Sequence, residues 1–510
     1  MVMTLRPYVA REPDADALVD EIGRRSWAAL DARANQWVHL LRSLDIAPGE
    51  HVAMLSGNRR EAIEFAIAAL HAGVMVVPAS WQLDGAGLAY VLDHADIQMI
   101  VVGDREVGLA RQALERTDIQ RRFVLGGAAD GFIRADEALT SMPTSEPEEQ
   151  AAGAPMFYTS GTTGSPKGVV SAVPAEVGAP PETVTEGTRM ISQGLGFPEG
   201  GVGLLTGPLF HSGQFVMALS AVLSGQRLVT RRTAEPKSIL ETIDSEHVTN
   251  AVLLPVDLAR LLQLPDDVRG GFDGGSLVRV IHGGAQCPPE IKRGMIDWWG
   301  PVFAEYYGAT EIGLITLATS AEWLERPTTV GRVLPHLEVR IVTADGRTAE
   351  PGEEGILHLR HRSGADLHYY KDPERTAAAH VVPGMFTLGD MGRFDDDGYL
   401  HISGRVADAI DIGGELIHPA VIEATLAGHA AIADVGVYQG DGGSVRAAVV
   451  PVPGHDVSDA LAGELLDIVG AHLPPQADLA IEFLDELPRS AAGKILKHEL
   501  RAQHATRRGA

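Results

Sequence analysis

Apolar residues in the first hundred positions follow two different spacings. From Trp27 to Leu44 they recur every three or four positions, which predicts an amphipathic helix. His51 to Leu55 is a short apolar run that predicts a strand, and the same order returns as a helix at Glu61–His71 and a strand at Val74–Pro78. Short apolar strands that alternate with helices indicate a sheet with helices on both faces. The fold class that we expect is therefore α/β.

The pattern changes after about Ser320. Thr329–Arg340 and Gly355–Arg362 alternate apolar and polar residues, which predicts strands with one solvated face. After Gly404 helical and strand patterns return, beginning with a helix at Val421–Ala427. We therefore expect a large N-terminal domain of several subdomains over residues 1–403, and a small, mobile α/β C-terminal domain over residues 404–510.

Composition and charge restrict the class of protein. The chain has 510 residues, of which 45% are hydrophobic, and a formal net charge of −26. Such a field repels a phosphate backbone, which argues against nucleic acid as a partner. The single cysteine, Cys287, excludes an internal disulfide and is typical of a reducing compartment. No apolar run is long enough for a membrane span or a signal peptide, so we expect a cytoplasmic protein.

The most informative stretch is Tyr158–Gly168, which carries three glycines, five Ser/Thr hydroxyls and one lysine. Glycines let the backbone approach an anion, hydroxyls donate to phosphate oxygens, and Lys167 adds positive charge. The loop is not a Walker A loop, because Lys167 follows a proline and precedes a glycine. A flexible surface turn is the alternative. The candidate phosphate-binding residues are Thr159, Ser160, Gly161, Thr162, Thr163, Gly164 and Lys167.

This loop resembles the signature loop of the adenylate-forming superfamily, which includes acyl-CoA synthetases, peptide-synthetase adenylation domains and beetle-type luciferases. The resemblance extends over nearly the whole chain. The further segments that carry it are Pro208–Gly213, His282–Gln286, Tyr306–Glu311, Thr387–Arg393, Gly404–Arg405 and Pro488–Lys497. Within the superfamily, Pro78–Leu83 and Ala285–Pro301 resemble bacterial fatty-acyl, aryl and bile-acid CoA ligases.

The resemblance implies an ATP site. Glu311 would hold Mg²⁺, and Thr310 would lie near the α-phosphate. The remaining nucleotide contacts that it implies are Tyr307 and Gly308 against adenine, Gly283, Gly284 and Ala285 on the other wall, Asp390 at the ribose, and Arg405 at the ribose or a phosphate. From the residues alone, Tyr306–Glu311 is equally a junction of strand and turn, and Asp390 an ordinary turn residue.

The resemblance also assigns the reacting centre and the thiol tunnel. Lys494 would bridge the acid and the α-phosphate, His211 would line the acyl pocket, and Gly413 and Gly414 would line the pantetheine tunnel. A solvated lysine and a histidine that caps a helix are the alternatives for the first two. Ala407 stands at the hinge position where the family usually has Asp or Lys, and this departure bears on the second half-reaction. His358 and His361 should point to opposite faces of a strand, which excludes a metal site.

We therefore expect a ligase that uses ATP and Mg²⁺ to convert a carboxylic acid to acyl-AMP and then to an acyl-CoA thioester. Small residues near Gly213, Ala218 and Gly283–Ala285 suggest room for a medium, long or bulky acyl group, and the resemblance favours fatty, aryl or steroid-type acids. One alternative is an acyl-AMP ligase that loads a carrier protein instead of CoA. Another is a nucleotide-binding member without catalysis. The sequence also leaves open whether two copies of the chain form a homodimer.

Overall fold

A computed structural model describes residues 5–159, 166–170, 177–233, 235–412, 415–440, 443–452, 454–455, 457–470, 473–474, 477–489 and 495–509. The chain divides into two compact units, and neither is continuous in sequence. The first unit comprises Met1–Gly283, Trp299–Ile315 and Ser363–Ala378. The second comprises Gly284–Trp298, Thr316–Arg362 and Ala379–Ala510.

Helices and strands alternate up to residue 283. In this part of the described chain the helices are α1 (Arg6–Arg11), α2 (Trp27–Ser43), α3 (Arg60–Ala72), α4 (Gly85–His94), α5 (Val107–Leu114), α6 (Ala135–Thr140), α7 (Glu182–Gly194), α8 (Ser212–Leu223), α9 (Pro236–Glu246), α10 (Pro255–Leu262) and α11 (Asp266–Gly270). The strands are β1 (Asp16–Val19), β2 (Arg24–Ser26), β3 (His51–Leu55), β4 (Met75–Pro78), β5 (Ile97–Gly103), β6 (Arg121–Leu125), β7 (Ile133–Arg134), β8 (Ala154–Thr159), β9 (Lys167–Val170), β10 (Val202–Leu205), β11 (Arg227–Thr230), β12 (Asn250–Leu253) and β13 (Arg279–Gly283).

Strands dominate the remainder of the chain. The helices there are α12 (Pro289–Trp299), α13 (Ser320–Glu325), α14 (Pro373–Ala379), α15 (Pro419–Ala427), α16 (Asp459–Gly470) and α17 (Lys497–Gly509). The strands are β14 (Phe303–Ala309), β15 (Gly313–Thr319), β16 (Thr329–Val333), β17 (Leu337–Val342), β18 (Gly355–His361), β19 (His368–Tyr369), β20 (Phe386–Phe394), β21 (Leu400–Arg405), β22 (Ile410–Ile412), β23 (Glu415–Ile417), β24 (Ile432–Gln439), β25 (Val445–Pro451) and β26 (Leu479–Phe483).

The first unit contains two groups of mainly parallel strands. One sheet has the order β19-β9-β8-β4-β3-β5-β6-β7, in which β9 is antiparallel to both of its neighbours, β8 and β19. The other group runs β14-β13-β12-β10-β11-β1-β2, and only the pairing of β1 with β2 is antiparallel. The carboxyl ends of parallel strands meet at one edge of a sheet, which is where ligand sites form in open α/β folds.

The second unit contains antiparallel strands and a small α/β core. The antiparallel strands have the order β17-β18-β20-β21-β16-β15. A turn at Asp395 connects β20 to β21, and the Asp395 carboxylate accepts a hydrogen bond from the Tyr399 N–H at 2.8 Å. A separate sheet, β24-β25-β26, packs with α15 and α16 around a buried apolar cluster.

The α/β class expected from the sequence is confirmed, and most predicted elements are present within two or three residues of their expected bounds. Thr329–Arg340 is not one continuous strand, because Leu334–His336 separates β16 from β17. The domain boundary at residues 403 and 404 stays a prediction. No helix in the described part of the chain is long and apolar enough to cross a membrane.

Candidate active site

The predicted phosphate loop connects the two strands of a hairpin. Thr159 at the end of β8 is paired with Lys167 at the start of β9, and Tyr158 with Gly168. A Cβ on Gly168 would lie 3.1 Å from Tyr370 Cβ and 3.2 Å from the Tyr158 ring, so a larger residue there would require these side chains to shift slightly. The loop itself, with the candidates Ser160, Gly161, Thr162, Thr163 and Gly164, lies outside the described residues.

At the base of this hairpin Lys167 meets Glu311. The Lys167 ammonium donates to Glu311 Oε1 at 3.0 Å and to Tyr369 Oη at 2.9 Å. Tyr369 Oη in turn donates to the same carboxylate oxygen at 3.2 Å. The side chains of Lys167 and Glu311 are 21% and 9% exposed, so the ion pair is largely removed from water. We call Lys167, Glu311 and Tyr369 the charge cluster.

Glu311 lies two residues after the end of β14. This strand extends to Ala309, so Tyr307 and Gly308 are strand residues and the turn begins only at Thr310. A Cβ on Gly308 would lie 2.5 Å from the Gly313 carbonyl oxygen, which explains the glycine. Thr310 Oγ1 lies 2.9 Å from Ser212 Oγ, at the start of α8. The structure thus brings Lys167, Glu311 and Thr310 into one region, as the sequence predicts.

His211 immediately precedes α8. The helix begins at Ser212, and the His211 side chain makes no capping hydrogen bond. The alternative that His211 caps this helix through its side chain is therefore wrong. Its ring lies 4.7 Å from that of Phe210 between centroids, and Phe210 contacts Trp81 edge-on. A role for His211 in an acyl pocket stays a prediction.

Tyr306 occupies the space that two glycines leave open. A Cβ on Gly213 would lie 2.8 Å from Tyr306 Oη, and one on Gly283 would lie 2.6 Å from the Tyr306 ring. Burial raises the pKa of Tyr306 to about 12. The expectation that Gly213 and Gly283 provide room for a bulky acyl group is therefore wrong at these two positions, because the tyrosine ring fills that room.

The second unit contains the predicted ribose contacts. Asp390 and Arg405 are register partners on β20 and β21, and Arg405 Nε donates to Asp390 Oδ1 at 2.7 Å. Asp390 is 4% exposed, so it is a buried strand residue rather than a turn residue. Gly284 lies in the same unit with φ +80°, which favours glycine, and Ala285 follows it.

Three predicted site residues, Lys494, Gly413 and Gly414, lie outside the described residues. Arg489 and Ile495, the nearest described residues on either side of Lys494, form an antiparallel bridge. Arg489 also donates to the Asp434 carboxylate at 2.6 Å. Ala407, at the predicted hinge, lies exposed in a short 3₁₀ turn over Val406–Asp408.

No cluster of three metal-ligating side chains exists within the described ranges. The exclusion of a metal site at His358 and His361 stays a prediction. His358 is buried, whereas the His361 ring lies 5.2 Å from the His336 ring between centroids.

Sequence reasoning missed two side chains of the site. Ser212 lies in the segment Pro208–Gly213 without a predicted role of its own, yet its Oγ lies 2.9 Å from Thr310 Oγ1. Tyr369 was not considered, and its signal in the sequence is weak because it lies 202 positions from Lys167. Only pairing of β19 with β9 brings it to the charge cluster.

Comparison with known proteins identifies similar chains over nearly the full length. The AMP-binding enzyme family matches residues 5–368, and the AMP-binding enzyme C-terminal domain matches residues 421–494. The fatty acid–[acyl-carrier-protein] ligase ScoC of Streptomyces coeruleorubidus is 27% identical, with 98% of this chain and 96% of that one covered. The indoleacetate–CoA ligase of Aromatoleum aromaticum is 28% identical, with 93% and 92% covered.

A solved structure supports the same relationship. The amide bond synthetase McbA from Marinactinospora thermotolerans aligns with a TM-score of 0.82 and 26% sequence identity. The alignment covers 98% of this chain and 99% of that one. The similarity therefore extends to the whole fold.

Proposed function

The chain belongs to the AMP-binding enzyme family, and from this membership we propose that it is an ATP-dependent carboxylic acid ligase. One carboxylate oxygen of the acid attacks the α-phosphorus of ATP. The bond to the β-phosphate oxygen breaks, and pyrophosphate leaves with the electron pair. The product is an acyl-adenylate. The observation that carries the proposal is the charge cluster at the base of the phosphate loop, where Lys167 and Glu311 are 3.0 Å apart.

The described residues fit these steps. Lys167 supplies an ammonium for the phosphates of ATP, and Thr310 supplies a hydroxyl close to the same point. Lys494 is the group that we assign to the charge that develops on the α-phosphate in the transition state. Positioning of the two substrates accounts for the remaining rate enhancement, since two reactants become one complex.

Glu311 is the described residue that fits Mg²⁺. A carboxylate is a hard oxygen ligand, and Mg²⁺ takes only one or two from a protein because it keeps waters and phosphate oxygens. Bound there, the ion would offset negative charge on the phosphates. Asp390 would accept hydrogen bonds from the ribose, and Tyr307 and Gly308 would lie at the adenine.

In the second step a thiol attacks the acyl carbon and AMP leaves. We propose CoA as the thiol, with Gly413 and Gly414 along its path and a fatty or aryl acid as the substrate. A relative that is an indoleacetate–CoA ligase supports this choice. The single cysteine supports a reducing compartment, the cytoplasm, for such an enzyme.

A second acceptor has a specific observation in its favour. ScoC, which is 27% identical over 513 residues, is a fatty acid–[acyl-carrier-protein] ligase. A carrier protein presents its thiol on the same pantetheine arm, so the first half-reaction would be unchanged. The two acceptors differ only in the second half-reaction.

The test is ATP–pyrophosphate exchange across a panel of fatty, aryl and steroid-type acids. We expect exchange that depends on the acid and falls by about 100-fold or more in Lys494→Ala, because the variant loses the positive charge that stabilises the transition state. Lys497→Ala is the matched control, since Lys497 pairs with Glu423 at 2.9 Å. CoA and a carrier protein are then offered to the best acid. Acyl-CoA supports the first proposal, and acyl carrier protein alone supports the second.

Absence of exchange with every acid, although ATP binds, would contradict the ligase proposal. It would favour a nucleotide-binding member without catalysis.

A further inference from the structure

Tyr369 lies outside the motifs that identify the site, yet it contacts both charged residues of the charge cluster. Its hydroxyl accepts a hydrogen bond from Lys167 at 2.9 Å and donates one to Glu311 at 3.2 Å. We infer that Tyr369 is a positioning residue for nucleotide binding: it keeps the Lys167 ammonium at the phosphate loop and holds the Glu311 carboxylate when Lys167 turns to the nucleotide. The inference rests on the proposed function.

The sheet explains why Tyr369 reaches Lys167. β19 is antiparallel to β9, and Tyr369 is the register partner of Val169. Residues two positions apart on a strand point to the same face, so Lys167 and Val169 share a face. Tyr369 is therefore the diagonal neighbour of Lys167 across the pair, within reach of long side chains. The Lys167 Nζ lies 4.3 Å from the Tyr369 ring centroid, which adds a cation–π contact.

The backbone of Tyr369 is held independently of the charge cluster. The N–H of Tyr369 donates to Thr376 Oγ1 at 3.1 Å, and the N–H of Tyr370 donates to the Gly168 carbonyl at 2.9 Å. Tyr369 is 6% exposed. The tyrosine is thus a fixed part of the sheet edge, whereas Lys167 is a flexible side chain that can change partner.

The charges of Lys167, Glu311 and ATP indicate the role of Tyr369. Without nucleotide, the ammonium of Lys167 balances the Glu311 carboxylate, and both hydrogen bonds to that carboxylate fall on Oε1. ATP brings several negative charges to the loop, and Lys167 then has to exchange the carboxylate for phosphate. The phenol keeps a hydrogen bond to each partner during this exchange. Glu311 stays oriented, because Tyr369 still donates to Oε1.

Tyr369→Phe tests the inference, because phenylalanine keeps the ring and removes both hydrogen bonds. Tyr370→Phe is the matched control, since the Tyr370 hydroxyl donates to Asp96 at 2.8 Å and not to the charge cluster. ATP binding is measured by calorimetry without acid, once with EDTA and once with Mg²⁺. The Michaelis constants for ATP and for the acid are measured by pyrophosphate exchange, and thermal melting confirms equal folding.

We expect Tyr369→Phe to weaken ATP binding about tenfold even in EDTA, as for the loss of a hydrogen bond to a charged group. KM for ATP should rise by a similar factor, with KM for the acid unchanged. Tyr369→Leu, which also loses the cation–π contact, should weaken binding further. Tyr370→Phe should match the wild type.

Unchanged ATP affinity in Tyr369→Phe would overturn the inference, and so would equal losses in Tyr369→Phe and Tyr370→Phe, which would reflect strand packing. Wild-type protein that fails to bind ATP would overturn it as well. Wild-type protein that binds ATP but shows no exchange would contradict the proposed function alone, and the calorimetric comparison would still decide the role of Tyr369.

Discussion

The ion pair between Lys167 and Glu311 places a cation and an anion at the point where ATP phosphates should bind. Both side chains are largely buried, and both hydrogen bonds to Glu311 reach the same oxygen. A carboxylate in this position repels phosphate and also competes for the lysine. In the proposed site Glu311 would therefore oppose the binding of ATP without metal, and a bound cation would remove this repulsion.

Glu311→Gln should consequently have opposite effects on two measurements. Calorimetry in EDTA should show at least about tenfold tighter ATP binding, since removal of a like charge near 4 Å is worth up to about 4 kcal/mol in a partly solvated site. Exchange with Mg²⁺ should fall by about 100-fold, because the metal loses a ligand. Glu374→Gln, an exposed carboxylate on α14, removes the same charge and should change neither. Weaker ATP binding in EDTA would contradict this account.

At the residue scale the sequence predicted those side chains that stand in a contiguous motif. Lys167, Thr310 and Glu311 come from two short segments, and the structure places them together. Tyr369 could not be predicted, because its position depends on pairing between strands 200 residues apart. The error at Gly213 and Gly283 has a similar cause. Glycine in a sequence indicates space, but only the fold shows that Tyr306 fills it.

Among the elements, α3 shows how far burial can be read from a pattern. Every residue from Glu61 to Ala72 is buried, including the histidine at position 71. Burial lowers the pKa of His71 to about 4, and its Nε2 has no hydrogen-bond partner in the described structure. The folded protein therefore holds a neutral imidazole, and protonation is disfavoured until unfolding exposes it.

The sign of the pH effect follows from this lowered pKa. The unfolded state binds a proton below its ordinary pKa of 6.5 and the folded state only near 4, so stability falls as the pH drops through this window. Between pH 7.5 and pH 5 the loss from His71 should be about 2 kcal/mol. Denaturant unfolding of His71→Gln should lack this part of the loss.

At pH 8 His71 is neutral in both the folded and the unfolded state, so the difference in stability between His71→Gln and the wild type there gives the packing cost alone. An identical pH dependence for the variant and the wild type would show that His71 is already protonated or solvated in the folded state, and would contradict the assignment.

Elements with a clear apolar period were predicted well, and polar ones were not. α2 and α3 were expected within a few residues of their bounds. α7 and α17 were not predicted, because α17 is largely polar and α7 follows a segment without a distinct pattern. The break at Leu334–His336 was missed, since alternation continues through it although the chain changes partner from β21 to β18.

At the scale of the whole molecule, the net charge of −26 requires that an anionic substrate be held by local groups rather than by a general field. Family membership and fold class followed from the order of the motifs along the chain, and comparison with known proteins agrees with both. The thiol acceptor could not be predicted in the same way, because relatives of similar sequence identity include both a carrier-protein ligase and a CoA ligase.

The central claim is that a carboxylate oxygen bonds to the α-phosphorus of ATP, and its most direct test is the fate of that oxygen. The acid is labelled with ¹⁸O in its carboxylate and turned over with ATP and the thiol acceptor, and the AMP is analysed by mass spectrometry. The account predicts one ¹⁸O atom in each AMP, since the acyl carbon–oxygen bond breaks when the thiol attacks. Unlabelled AMP, or label in inorganic phosphate with ADP as the product, would contradict it.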